Sequence, residues 1–155
     1  MSYLKSISTC LLLLFTVTVF AQGSMSEDKM NDEKEEVQSA ILDYVEALYL
    51  VDSTRIVASV HPELRKRGYW YNKEKGEYYD NLDMTFEQLR KLAGSWNVKG
   101  DNATRNSPKK IEIYDINDRT ASAKLTAEWG IDYFHLAKLD GKWMIMNVLW
   151  QSIKE

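Results

Sequence analysis

Ile131-Asp132-Tyr133-Phe134-His135-Leu136-Ala137-Lys138-Leu139-Asp140-Gly141-Lys142-Trp143-Met144-Ile145-Met146-Asn147-Val148 decides the fold. Asp140-Gly141 is a two-residue hairpin signal, because the turn that matches strand twist needs left-handed backbone at both positions. The run before it, Ile131 to Leu139, is apolar on both faces, as a central strand is. The run after it, Lys142 to Gln151, carries Trp143, Ile145 and Leu149 on one side of a strictly alternating strand. Met144, Met146, Val148 and Trp150 then fall on the other.

Working outward, Ala121 to Trp129 alternates: Ala121, Ala123, Leu125, Ala127 and Trp129 on one face, Ser122, Lys124, Thr126 and Glu128 on the other. Gly130 reads as a bulge or bend. Lys110 to Ile116 is a further strand, joined through the Asn117-Asp118 turn. Upstream, Asn97 to Pro108 is polar and irregular. Thr85-Phe86-Glu87-Gln88 is a capping box: a threonine hydroxyl caps a helix start and the glutamine reaches back to it. Phe86, Leu89, Leu92 and Ala93 form that helix's buried face, and Gly94 ends it. Gly68-Tyr69-Trp70-Tyr71 and Glu77-Tyr78-Tyr79 flank a charged turn and predict a short hairpin.

Glu35 to Val51 has helical spacing, with Val37, Ala40, Ile41, Tyr44, Val45 and Leu48 on one stripe. Asp52-Ser53-Thr54 caps a second helix to about Val60 that buries Ile56, Val57 and Val60. His61-Pro62 stops it, because proline pushes the preceding residue out of the helical region. Arg65-Lys66-Arg67 reads as a solvated loop. The order is helix, helix, hairpin, helix, antiparallel meander. That is an α+β domain with helices on one face of a curved antiparallel sheet.

Residues 1–21 carry Lys5, an apolar run of about ten residues and small residues before Gln22, the pattern of a signal peptide. That run is shorter than the roughly twenty residues a membrane span needs. It predicts a secreted or periplasmic protein with no membrane attachment after cleavage; a retained anchor is the alternative. Residues 22–34 read as a flexible lead-in and residues 35–155 as one domain.

Hydrophobic residues make up 45% of the 155 and charged ones 28%, a globular balance. The net charge of -3 argues against nucleic acid, which needs a concentrated basic face. The one cysteine, Cys10, lies in the leader, so the domain has neither a disulfide framework nor a thiol nucleophile. The two histidines, His61 and His135, have no metal-ligand spacing, and no glycine-rich phosphate loop is present. The expectation is no metal and no cofactor.

The stretch from Ile131 to Val148, with Asp140-Gly141-Lys142-Trp143, resembles the end of nuclear transport factor 2-like domains, and within them the branch called putative lumazine-binding, related to the SnoaL-like cyclases. His61-Pro62-Glu63-Leu64 and Met84-Thr85-Phe86-Glu87-Gln88-Leu89 fit the same pattern. The resemblance covers roughly residues 35 to 152. It implies a cone: a strongly curved antiparallel sheet wrapped around three N-terminal helices, the nuclear transport factor 2-like or cystatin-like α+β roll, with a pocket in its open end. It also implies a choice of roles, since such domains include isomerases, cyclases and dehydratases beside modules that only bind or assemble.

For an enzyme of that kind the candidate bases are His61 and Asp132. Asp132 and His135 lie on one strand but, three residues apart, point to opposite faces and cannot form a dyad. For a binding module the candidate lining is Tyr44, His61, Tyr69, Tyr71, Trp96, Trp129, Asn147 and Trp150, aromatic walls with a few polar anchors suited to a planar small molecule. The other reading of the same rings is that they fill the cone solidly. The first choice is an exported, non-catalytic small-molecule-binding or accessory module; a third reading is an interaction domain acting through its sheet. The surplus of apolar residues on the last two strands predicts a homodimer through the sheet's outer face.

Overall fold

The computed structural model describes residues 26–154; the predicted signal segment lies outside them. Helix α1 spans Glu27–Tyr49 and α2 spans Ser53–Ser59. Strands β1 (Val60–Asn72) and β2 (Glu77–Met84) form a hairpin, followed by α3 (Phe86–Ala93). Strands β3 (Lys110–Ile116), β4 (Thr120–Ala127), β5 (Gly130–Leu139) and β6 (Lys142–Gln151) complete the chain. The six strands make one curved sheet in the order β2-β1-β6-β5-β4-β3, with the helices on its inner side.

The sheet is mixed rather than wholly antiparallel. β1 lies parallel to β6, and every other neighbouring pair is antiparallel. The reading as a short hairpin missed this because β1 is longer than its aromatic half. It starts at Val60, directly after α2, and its first residues seat against β6. His61-Pro62 ends the helix as expected, but hands the chain to a strand. The β1–β6 register slips between Val60 and Arg65, where His61-Pro62-Glu63 stands out of line. Val57, expected inside, is 56% exposed, whereas Ile56 and Val60 are fully buried.

The stripe on α1 is buried as its spacing predicts, from Val37 through Leu48. The helix, however, begins at Glu27, capped by the Ser26 hydroxyl. The expected flexible lead-in is therefore helical from Glu27 onward. Glu33 supplies the reason: Lys138 Nζ donates to both its carboxylate oxygens at 2.8 and 2.7 Å, and Trp143 Nε1 donates at 2.7 Å. Those contacts fasten the first turns of α1 to the β5–β6 hairpin.

These bonds hold the Glu33 carboxyl below its ordinary value, the Lys138 hydrogen bond most and the Trp143 bond next. A carboxyl depressed in the folded state makes the unfolded chain bind more protons, so its contribution is present above the ordinary value of 4.5 and is lost as pH falls through the folded value. Glu33→Gln is expected to cost about 1.5–3 kcal/mol at pH 7. In urea titrations its midpoint should converge on that of the wild type in acid. A constant gap at pH 7 and pH 3 would mean the carboxylate charge contributes nothing.

The capping box at Thr85 and Gln88 forms with both reciprocal bonds. Asp140 and Gly141 take φ of 49° and 82° and close the β5–β6 hairpin. The irregular stretch after α3 is pinned by the buried Asn97 side chain. It donates to the Tyr49 and Ala103 carbonyls and accepts from the Asn102 and Ala103 amides.

Candidate functional site

On the inner face of the sheet β5 buries Asp132, Phe134 and Leu136, and its alternate residues Tyr133 and His135 are exposed. Asp132 is fully buried. On β1, separated from β5 by β6 in the same sheet, the alternation Leu64, Lys66, Gly68 points inward, so the middle member of the basic triplet enters the core. Arg65 and Arg67 stay outside, Arg67 pairing with Asp83 of β2 at 2.7 Å. The solvated-loop reading of Arg65-Lys66-Arg67 is thus corrected: a strand with period two separates three consecutive charges onto two faces.

Lys66 Nζ donates to Asp132 Oδ1 at 3.1 Å and to the Tyr44 hydroxyl at 2.8 Å. Tyr44 donates in turn to Asp132 Oδ1 at 3.4 Å, and Trp129 Nε1 donates to Asp132 Oδ2 at 2.6 Å. One carboxylate from β5 therefore gathers groups from α1, β1 and the β4–β5 junction. Burial, and then the charge on Asp132, hold the Tyr44 hydroxyl well above its ordinary range. Burial pulls the Lys66 ammonium down from its ordinary value, and Asp132 opposes that pull.

Beside this cluster lies a cavity of about 100 Å³. Tyr44 and Leu48 of α1, Lys66 of β1, Trp129 of the β4–β5 junction and Trp150 of β6 wall it. Leu89 and Leu92 of α3 close it from above, with half-buried Met84 and Trp96 at the rim. Trp129 is the hub of the aromatic wall: its ring packs edge-on against Tyr44, Tyr49 and Trp96 at centroid distances of 6.2, 5.7 and 5.4 Å. Tyr49 stacks on Trp96 and has its hydroxyl fixed between the Pro108 carbonyl and the Glu128 amide, each at 2.8 Å. Burial pushes that hydroxyl up to about 12. Lys66 Nζ stands 5.2 Å from the Trp150 ring centroid and 5.5 Å from that of Tyr44.

Of the expected lining, the structure brings Tyr44, Trp96, Trp129 and Trp150 to this cavity, with Asp132 directly behind the wall. It does not bring His61, Tyr69, Tyr71 or Asn147 there. Tyr69 and Tyr71 follow the odd positions of β1, opposite in parity to Lys66 and Gly68; Tyr71 packs on Tyr78 at 5.1 Å instead. His61 sits in the irregular start of β1, its Nδ1 accepting the Glu63 amide at 3.2 Å. Asn147 is turned outward by a bulge. β5 pairs His135 with Asn147 but Leu136 with Ile145, which leaves Met146 as the extra residue. Strand parity resets there, so Trp143, Ile145, Val148 and Trp150 share the inner side and Leu149 the outer. Asn147 joins His135, Ser122 and Asp115 around an open depression of about 330 Å³ on the outer face.

Sequence reasoning missed Lys66 and Met84 as wall residues, and placed Leu48, Leu89 and Leu92 only in the buried faces of their helices. The alternation Leu64, Lys66, Gly68 was the available signal for Lys66. Among the described residues no three His, Cys, Asp or Glu side chains gather as metal ligands, and no helix is long and apolar enough to cross a membrane.

A curved sheet wrapped on three helices is the fold of nuclear transport factor 2-like α+β domains. Solved structures show the same fold. A nuclear transport factor 2-like protein of unknown function from Silicibacter pomeroyi is 14% identical with a TM-score of 0.58, over 80% of this chain and 98% of that one. One from Shewanella baltica is 18% identical with a TM-score of 0.57, over 85% and 100%. A ketosteroid isomerase-like protein from Erwinia carotovora atroseptica is 15% identical with a TM-score of 0.52, over 81% and 99%. No curated protein matches the chain by sequence. Residues 32–151 match the family described as Putative lumazine-binding, and the chain belongs to that family.

Proposed function

We propose that this protein is an exported module that binds a small planar molecule in its aromatic cavity, without catalysing a reaction on it. The observation that carries this reading is the convergence of Tyr44, Trp96, Trp129 and Trp150, from four separate parts of the chain, around one space beside the Lys66 ammonium. Ring faces of this kind take flat ligands, and a few fixed polar groups orient them. The family's description names lumazine, a ligand type compatible with such walls. About 100 Å³ is less than most ligand sites hold, so a two-ring compound would displace Met84 or α3 at the rim.

Against catalysis stands the state of Asp132. A general base needs access to the proton it takes. Asp132 is fully buried and already accepts from Lys66, Tyr44 and Trp129. His61, the other candidate base, is not among the residues that line the cavity. The export reading rests on the apolar run and small residues of positions 1–21. The homodimer reading rests on Tyr133 and Leu149, which face each other across β5 and β6 on the outer side and are 48% and 50% exposed. An apolar patch of this kind is a candidate twofold contact.

One measurement tests all three parts. Native mass spectrometry of protein recovered from its own host should give a dimer, cleaved near Ala21, carrying a non-covalent mass of a few hundred daltons. An empty protein that also fails to take up aromatic compounds would remove the binding reading. An uncleaved chain or a concentration-independent monomer would remove export or dimerisation separately.

A further inference from the structure

We infer that Lys66 is the group that reads the ligand, and that it selects an uncharged planar carbonyl compound over both its hydrocarbon analogue and an anion. The inference rests on the binding reading above and goes further by naming the ligand's chemistry. An ammonium carries three donors. Lys66 spends one on the Tyr44 hydroxyl and one on Asp132 Oδ1. Among the described residues no third acceptor lies within hydrogen-bond distance. The nitrogen is within 5.5 Å of the ring centroids of both Tyr44 and Trp150, which wall the cavity, and the residue itself is 7% exposed. Water reaches such a donor poorly, so an acceptor delivered by a ligand meets little competition.

Charge decides which acceptor. Lys66 and Asp132 together are neutral, and the Tyr44 hydroxyl keeps its proton because burial raises it. An anion entering beside them would leave one negative charge buried without its own partner, which is costly. A carbonyl oxygen accepts the free N–H and adds no charge. The tryptophan and tyrosine faces then hold the attached ring. The indole N–H of Trp150 lies against Gly68, across the strand pair, and has no partner among the described residues.

Three probes of matched ring and different head test this on the full chain: acetophenone, ethylbenzene and benzoate at neutral pH. The indole N–H resonances of Trp129 and Trp150 report binding directly. Acetophenone should bind about tenfold or more tightly than ethylbenzene, the yield of one hydrogen bond to a charged donor. Benzoate should bind no better than ethylbenzene. In Lys66→Met the preference for the ketone should vanish while ethylbenzene still binds; should that variant fail to fold, the comparison on the unaltered protein stands alone. Equal affinity for all three would overturn the inference and leave the binding reading in place. Benzoate as the tightest ligand would also overturn it, since Lys66 would then act as a free cation. No binding of any probe would overturn the inference together with the binding reading.

Discussion

Asp132→Ala should remove about 3–5 kcal/mol of stability, the expected effect of leaving one member of a buried ion pair alone. The side chains of Lys66 and Asp132 are 6% and 0% exposed, so solvent offers the stranded ammonium little relief. Trp129 would lose its acceptor as well, since its indole N–H bonds Asp132 at 2.6 Å. Asp132→Asn, which keeps an acceptor but no charge, should fall between the wild type and the alanine variant. Replacing both partners, Lys66→Met with Asp132→Leu, should recover most of the loss, because attraction within a buried pair is largely offset by the cost of dehydrating it. Urea denaturation with a common m-value measures all of these. A loss under about 1 kcal/mol for Asp132→Ala would show that water enters the cluster freely. The wall of the cavity would then be far wetter than its packing indicates.

Gly130→Ala should cost about 3 kcal/mol or more, and more than Gly68→Ala. Gly130 has φ of 137°, a conformation side chains rarely adopt. A methyl group there would also stand 2.2 Å from the Gln151 carbonyl oxygen and 2.8 Å from the Ser152 Cα. Both obstacles are backbone of the adjoining β6 end, which cannot rotate away. At Gly68 the clash is closer, 1.8 Å from the indole nitrogen of Trp150, but that is a side chain. Gly68→Ala should therefore push Trp150 into the cavity at the roughly 1–3 kcal/mol typical of overpacking. It should abolish ligand uptake while the protein stays folded. Thermal denaturation of the two variants distinguishes them; a Gly130→Ala protein as stable as the wild type would mean the β4–β5 junction is not held in the geometry described. That junction sets Trp129, so a weakened Gly130→Ala protein should also show disturbed Trp129 signals.

The parts of the fold legible in the sequence are those with local causes. Thr85 and Gln88 lie three residues apart and satisfy each other's helix end without help from elsewhere. Asp140-Gly141 turns the chain because two adjacent residues can take left-handed backbone. The stripe on α1 and the alternation on β4 follow from the periods of helix and strand. Asp132 could be placed opposite His135 on the same ground. Of the eight lining residues expected, Tyr44, Trp96, Trp129 and Trp150 meet at one cavity, whereas His61, Tyr69, Tyr71 and Asn147 do not.

Other features depended on contacts distant in the chain. Nothing near Val60 announces that β1 will lie parallel to β6, because its partners are more than eighty positions away. Glu33 looked like one more charge in a polar lead-in until Lys138 and Trp143 arrived beside it. The single extra residue at Met146 inverted the faces of everything after it, moving Val148 and Trp150 inward and Asn147 outward. Spacing along single segments was enough for the helices, most of the strands and their order. Which residues of β1 and β6 face inward, and which charge is buried, came from contacts between distant segments. Parity depends on register with a neighbouring strand, and a lysine enters a core only where a distant carboxylate meets it.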